Sequence, residues 1–285
     1  MAPPLPLPPD DRTTTLRDIL VVRAGTATRR PDHLVGEEPM AIRVAGPGQA
    51  PVDVAVTMRT PGHDAELAVG FLVSEGLLAP ADLGGLTVEV GDPADVATPD
   101  NELVVRIARA FDPAAVPVRA FVASASCGIC GKASLDDVAI RCAALPAGPL
   151  VAAAVVAGLP DRLRAGQPLF ERTGGLHAAG LFDPAGALLA VREDVGRHNA
   201  LDKLIGSAAL AGELPLHDRI LAVSGRVSFE IVQKAAVAGI PVVVAGKAPT
   251  DLAVSAAERL GLTLIGFVRA GGFNVYAGEE RITLG

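Results

Sequence analysis

Residues 220–267, ILAVSGRVSFEIVQKAAVAGIPVVVAGKAPTDLAVSAAERLGLTLIGF, decide the fold. Ile220 to Val223 is an uninterrupted apolar run, the composition of a strand covered on both faces. Val227 to Ala238 then reads as helix, Ile240 to Val244 as a second buried strand, Asp251 to Leu260 as a helix behind a Thr250 cap, and Leu262 to Phe267 as strand again. Strands alternating with helices of this length pair in parallel through right-handed crossovers. The C-terminal part is therefore α/β, with a mostly parallel sheet.

Working outward, the apolar run after Leu176 breaks at Asp183-Pro184-Ala185-Gly186 and resumes over Ala187 to Val191, which predicts a hairpin. A helix is expected from about Val195 to Leu210. Ala143 to Pro149 has the composition of a linker, and Asp92 to Asp100 that of a loop. Farther upstream, Val52, Val54, Val56 and Met58 alternate as in a half-buried strand, Leu67, Phe71 and Leu72 mark a helix that stops at Gly76, and Glu102 to Ala108 is a second strand. Residues 1–15, rich in Pro and then Thr, read as a disordered lead. The expected organisation is that lead, an N-terminal α+β portion over 16–142, and a C-terminal α/β domain over 150–285, in a chain that is α+β overall. No internal repeat is present.

The chain has 285 residues with 25 basic and 32 acidic side chains, a net charge of −7, so it offers no overall attraction to nucleic acid or anionic membrane. Its mean hydropathy of +0.40 comes from short Ala, Val and Leu blocks. None reaches the ~20 residues of a transmembrane helix. The N-terminus lacks the charged start and apolar run of a secretory signal, which leads to the expectation of a cytoplasmic protein. The three cysteines, Cys127, Cys130 and Cys142, are an odd number in a chain large enough to bury a core without staples, so a disulfide framework is not expected.

Three sets of residues could carry chemistry. In Ser126-Cys127-Gly128-Ile129-Cys130-Gly131-Lys132, ahead of a helix read from Ala133 to Ile140, the helix terminus and Lys132 favour a thiolate. That pattern admits a structural zinc site, a redox dithiol, a persulfide-carrying cysteine or plain core residues, and composition does not choose among them. In Asp194-Val195-Gly196-Arg197-His198, one helical turn could bring the Asp194 carboxylate to the His198 imidazole. These two and His177 are candidates for proton transfer, against a plain reading as a solvated helix start and a strand edge. The third set follows from the sheet: ligands of open α/β sheets bind outside the carboxyl ends of the strands. Each C-terminal strand there runs into a glycine-containing loop with one cation, namely Arg226, Lys247 and Arg269. Such an edge suits phosphates or pyrophosphates. A P-loop and a GxGxxG turn are both absent.

The blocks Arg59-Thr60-Pro61-Gly62 with Glu66 to Phe71, Cys127 to Lys132, Asp194 to Lys203, Ser224-Gly225-Arg226 and Phe267 to Tyr276, in that order, resemble the FdhD family. These are the sulfur-carrier accessory proteins of formate dehydrogenase. The resemblance implies a sulfurtransferase that receives sulfur from a cysteine desulfurase and passes it to the molybdenum cofactor in its bis-(molybdopterin guanine dinucleotide) form, before insertion into the formate dehydrogenase catalytic subunit. It places the family's CxxC on Cys127 and Cys130, both catalytic, with the persulfide on Cys127 and Cys130 tuning, protecting or resolving it, and a cofactor-binding stretch on Phe267, Val268, Arg269, Ala270, Gly271 and Gly272. GDP or GMP would mimic the nucleotide part of that cofactor, and no bound zinc is expected. The alternative is a non-catalytic chaperone of the same cofactor with a structural or zinc-bound Cys127/Cys130 pair. The resemblance further implies a three-layer core similar to cytidine deaminases, and a homodimer. Deamination itself is excluded, because no His is followed two residues later by Glu and Ser126 stands where a zinc deaminase has proline.

Overall fold

The computed structural model describes residues 11–91, 99–116 and 144–284. Cys127, Cys130, Cys142, the helix read over Ala133 to Ile140, and parts of the expected lead and loop lie outside the described residues. The described residues begin with a short 3-10 turn, Asp11–Thr13, and a ribbon of two antiparallel strands, β1 (Thr14–Arg23) and β2 (Thr26–Val35). Residues 11–15 are therefore ordered, in contrast to the expected lead. Composition misjudged them because their partners are distant in sequence: the Thr13 carbonyl accepts the Gly36 N–H at 2.8 Å and Arg12 reaches Glu38.

A four-stranded sheet follows, in the order β4-β3-β6-β5, from β3 (Glu38–Ala45), β4 (Val52–Arg59), β5 (Thr87–Val90) and β6 (Glu102–Arg106), with α1 (Asp64–Ser74) after β4. Two-residue strands, β7 (Val151–Ala152) and β14 (Ile282–Thr283), pair near the chain's end. Next come α2 (Ala153–Ala165), α3 (Pro168–Thr173), β8 (His177–Phe182), β9 (Leu188–Asp194) and α4 (Arg197–Leu210). The region that the sequence made plainest forms β10 (Ile220–Val223), α5 (Phe229–Val237), β11 (Val242–Ala245), α6 (Asp251–Leu260), β12 (Thr263–Arg269) and β13 (Gly272–Ala277). The Thr250 hydroxyl caps α6 by accepting the Ala253 N–H at 3.3 Å, as its position before the helix implies.

The second sheet has the order β13-β12-β11-β10-β8-β9. Only β10, β11 and β12 run parallel; β8 and β13 flank them antiparallel, so the parallel part is narrower than the alternation of elements implies. The reason is that the β8–β9 and β12–β13 connections are too short for a crossover. Side chains alternate across this sheet. Phe182, Ile220, Val242 and Ile265 meet Val156, Leu159 and Leu163 of α2 on one face, while Leu181, Leu221, Val243 and Leu264 meet α4, α5 and α6 on the other. The result is a three-layer α/β/α arrangement.

The second of these cores continues without a break into the N-terminal sheet, through Met40, Ile42, Val54 and Leu103 and through Leu67, Val69 and Leu72 of α1. The two portions expected from sequence thus share one core. The stretch read as a linker is seated on it: the Leu145 N–H donates to the Leu260 carbonyl, and Gly148 lies against Pro241. The junction is made by α1 crossing α4 at Gly70 and Gly206. A methyl placed on Gly70 would fall 1.8 Å from the Asp202 carbonyl oxygen, and one on Gly206 1.8 Å from that of Glu66. Backbone is the obstacle at both positions, so the helices must separate to admit any side chain. Gly206→Ala is expected to cost about 3 kcal/mol in urea unfolding, at the upper end of overpacking penalties. Gly84→Ala, with nothing within 4 Å of the new methyl, should change little by comparison.

Candidate functional site

The carboxyl ends of β10, β11 and β12 release three loops that backbone hydrogen bonds join into one rim. The Val227 N–H donates to the Ala248 carbonyl, the Thr250 N–H to the Val227 carbonyl at 2.9 Å, and the Phe267 N–H to the Lys247 carbonyl at 3.2 Å. The convergence of Arg226, Lys247 and Arg269 on one sheet edge is therefore a feature of the fold. All three are exposed, and among the described residues none has an ion-pair or hydrogen-bond partner. Unpaired cations held close on a rim leave a local positive field on an acidic protein.

Phe267 is the unusual member of this rim. Its backbone sits at φ 53, a region that a bulky L-residue rarely enters, and the residue is 42% exposed. The cause is local: the β12–β13 pairing slips register between Gly266 and Arg269, and Gly266 is pressed against Pro249 and the Lys247 carbonyl. Val268 is buried, while Arg269, Ala270, Gly271 and Gly272 are exposed at the β12–β13 turn. This stretch thus offers an open turn with an aromatic face at its root.

The three proton-transfer candidates separate. Asp194 lies at the end of β9, not on the helix, and is fully buried. Its carboxylate accepts from the Thr60 N–H at 3.1 Å, the Gly196 N–H at 2.8 Å and the Asn199 side chain at 3.2 Å, and it pairs with Lys203 Nζ at 2.8 Å. Both oxygens are occupied, and the expected Asp194–His198 contact is not formed. The His198 Nε2 instead meets the Ser228 hydroxyl at 3.2 Å and faces Glu230 at 3.9 Å. His177, at the start of β8, borders the rim: a methyl on Gly225 would lie 3.5 Å from its Nδ1 and 3.4 Å from Arg197. Burial, with the positive field of Arg197, holds the His177 imidazole below its ordinary pKa.

Arg197, in the first turn of α4, is a fourth cation at this edge that the reading of the loops left out. Its signal was its place in the Asp194 to Lys203 block. Two further groups came to light only in the structure. The Lys203 ammonium also donates to the Thr60 carbonyl at 2.8 Å, and the fully buried Arg59 forks onto Asp64 at 3.0 and 2.9 Å and reaches Asn101 at 2.9 Å. The conspicuous Arg59-Thr60-Pro61-Gly62 and Asp194 to Lys203 blocks are thus two halves of one clamp, beside the Arg192–Glu66 pair at 2.7 Å. This clamp seats β9 and α4, and so His177 and Arg197, against the N-terminal sheet.

Residues 35–283 match the model of the FdhD/NarQ family. Proteins named sulfur carrier protein FdhD from Streptomyces avermitilis and Streptomyces coelicolor are 50% and 49% identical over 278 residues, covering 96% of this chain and 97% of each relative. One from Mycobacterium tuberculosis is 47% identical over 278 residues, covering 95% of this chain and 99% of its own. In fold, the chain is similar to the crystal structure of a Desulfotalea psychrophila protein described as a formate dehydrogenase accessory protein. The TM-score is 0.71 at 24% identity, over 95% of this chain and 100% of that one. No helix among the described residues is long and apolar enough to cross a membrane.

The seat of α4 is pH-sensitive. Burial first, then Lys234 and Arg197, pushes His198 down from 6.5 to about 4. Between those values the unfolded chain binds the proton and the folded one does not, so stability falls as pH drops from 6.5 toward 4. His198→Gln should flatten the urea-unfolding stability profile across that window, whatever its effect at pH 7.

Proposed function

Because the chain belongs to the FdhD/NarQ family, we propose that it is a sulfur carrier that takes sulfur onto Cys127 from a cysteine desulfurase and delivers it to the molybdenum cofactor, in its bis-(molybdopterin guanine dinucleotide) form, for formate dehydrogenase. The observation that carries the acceptor half is the rim: Arg226, Lys247 and Arg269, unpaired and tied to one sheet edge, with the exposed ring of Phe267 between them in sequence. A bis-guanine dinucleotide presents two pyrophosphates and two purine faces. Cations answer the first and an aromatic ring the second. The N-termini of α5 and α6 sit directly behind two of the loops and add their partial positive charge.

The sulfur half rests on the CxxC pattern. The Cys127 thiolate attacks the terminal sulfur of the desulfurase persulfide, forming the Cys127 persulfide and returning the donor's thiolate. Release is balanced by the second cysteine. The Cys130 thiolate attacks the Cys127 Sγ, the terminal sulfur leaves as hydrosulfide toward the bound acceptor, and the resulting Cys127–Cys130 disulfide is reduced by a cellular dithiol before the next round. His177, kept neutral at pH 7, is the group on the rim able to take or give the accompanying proton. Asp194 and His198 act by holding α4 in place.

With a desulfurase and sulfur-radiolabelled cysteine, the protein is expected to become labelled in a thiol-reversible manner and Cys127→Ala to remain unlabelled. Label retained by Cys127→Ala would remove the carrier assignment. Titration calorimetry with GDP tests the rim separately. Arg269→Ala should weaken binding about tenfold or more, the worth of one charge-assisted hydrogen bond, whereas equal affinity in the two proteins would move the nucleotide elsewhere.

A further inference from the structure

Arg197 carries a charge that the clamp does not use. Among the described residues Arg43, Arg197, Arg219 and Arg281 each have a buried Nε with no acceptor. Arg43, Arg219 and Arg281 bond through another guanidinium nitrogen, to Glu102, Asp218 and the Gly261 carbonyl respectively. Arg197 has no acceptor among the described residues at any nitrogen. The carboxylates just before it in the chain are taken: Glu193 accepts the Leu169 and Phe170 N–H groups at 3.0 and 2.8 Å, and Asp194 serves Lys203, Gly196 and Asn199. Water reaches the exposed Arg226, Lys247 and Arg269, whereas Arg197 is half-buried, and a guanidinium left without acceptors there is costly.

Beside this guanidinium the fold leaves a gap. Gly225 is buried in the loop after β10, and a methyl built on it would stand 3.4 Å from Arg197 Cδ, 3.6 Å from Arg197 Cβ and 3.5 Å from His177 Nδ1. The space is therefore the size of one methyl group, walled by the stem of Arg197 and the edge of the His177 ring, and no backbone atom is among its three nearest neighbours. The charged groups that face His177 are Arg197 and Asp194, and Asp194 is neutralised by Lys203 at 2.8 Å. Positive charge prevails at the gap, with a neutral imidazole as its other polar wall.

We propose that this gap holds the sulfur in transit, as a single hydrosulfide anion bonded by Arg197 and His177; the inference rests on the sulfur-carrier reading above. Size selects the ligand. One sulfur atom occupies about the space of a methyl group, whereas a phosphate, with four oxygens around its centre, does not fit beside Gly225. The chemistry agrees with the size. A guanidinium is diffuse and weakly hydrated, and sulfur is a weak acceptor, so the two suit a half-buried site better than a compact ammonium and an oxyanion would. His177 donates from Nδ1 in one of its neutral tautomers. Hydrosulfide enters and leaves as the anion, so holding it forms no covalent bond and moves no proton. The cation also keeps the bound sulfur ionised, for the reason that a nearby Arg lowers a thiol's pKa, and so prevents its loss as neutral hydrogen sulfide.

Proton NMR of the reduced full-length chain tests this, with the His177 imidazole signal assigned by its loss in His177→Gln. Sodium hydrosulfide at pH 7 should shift that signal saturably in a chloride buffer. Arg197→Gln should weaken the binding about tenfold or more. Gly225→Ala should do the same while keeping Arg197 and His177, because its methyl fills the gap without meeting backbone. A His177 signal that ignores hydrosulfide overturns the proposal, and so does one that responds equally to added chloride. Hydrosulfide binding that survives both substitutions, with GDP affinity lost in Arg197→Gln, would give Arg197 to the nucleotide and equally overturn it. Labelling of Cys127 by a desulfurase is read separately. An unlabelled Cys127 in a chain that binds hydrosulfide rejects the carrier reading and not the pocket, whereas a labelled Cys127 without hydrosulfide binding rejects the pocket alone.

Discussion

Everything that positions the rim depends on the contact of α1 with α4 at Gly70 and Gly206. The two backbones meet without side chains between them, and that approach brings the Arg59-Thr60 segment within reach of β9 and the first turn of α4. The polar clamp then follows from burial. Asp194 and Lys203 are both inaccessible, so each would be costly alone; paired to each other and to Thr60, with further donors from Gly196 and Asn199, they are satisfied. Such a pair adds little net stability over apolar residues of the same volume. It does forbid any other docking of the two portions, since a slipped arrangement would leave a buried charge unpaired.

A second cluster reinforces the same junction one residue away on α4. The Lys234 ammonium of α5 lies 2.9 Å from Asp202 in α4, 2.8 Å from the Ser74 hydroxyl in α1 and 3.1 Å from Glu75. Three helices are thereby fixed at one point, in the last turn of α5. The division is plain: the buried charges of the clamp and of the Lys234 cluster are paired and hold the frame, whereas Arg226, Lys247 and Arg269 on the rim are exposed and have no partner among the described residues.

Much of the frame was legible in the sequence. Strands β4, β10 and β11, helices α4 and α6 and the β8–β9 hairpin all carry strong periodicity, a cap or a turn of distinctive composition, and they form close to where those signals place them. The ribbon was missed because Arg17, Asp18, Arg29 and Arg30 interrupt its apolar pattern and because an Ala-Gly turn is a weak hairpin signal. α2 was missed because Pro160 stands within it. The site divides in the same way. Loop composition singled out Arg226, Lys247 and Arg269, whose loops backbone hydrogen bonds join at the ends of β10, β11 and β12. The supposed Asp194–His198 pair failed because helical spacing was applied across a strand end, where the chain has not yet begun to turn.

The sequence by itself determined the family, the α/β alternation, the CxxC pattern and the set of cations at the strand ends, since each is a local or ordered pattern of residue types. Only the tertiary structure decided what the buried polar residues of those patterns are for. Asp194 looks like a reagent when read along the chain, and Arg59, Lys203 and Lys234 draw no notice there; read across the chain, all four are partners. The physical reason is that a charge's role depends on whether water or another charge reaches it. That depends on contacts between residues more than a hundred positions apart, such as Thr60 with Asp194 and Ser74 with Lys234.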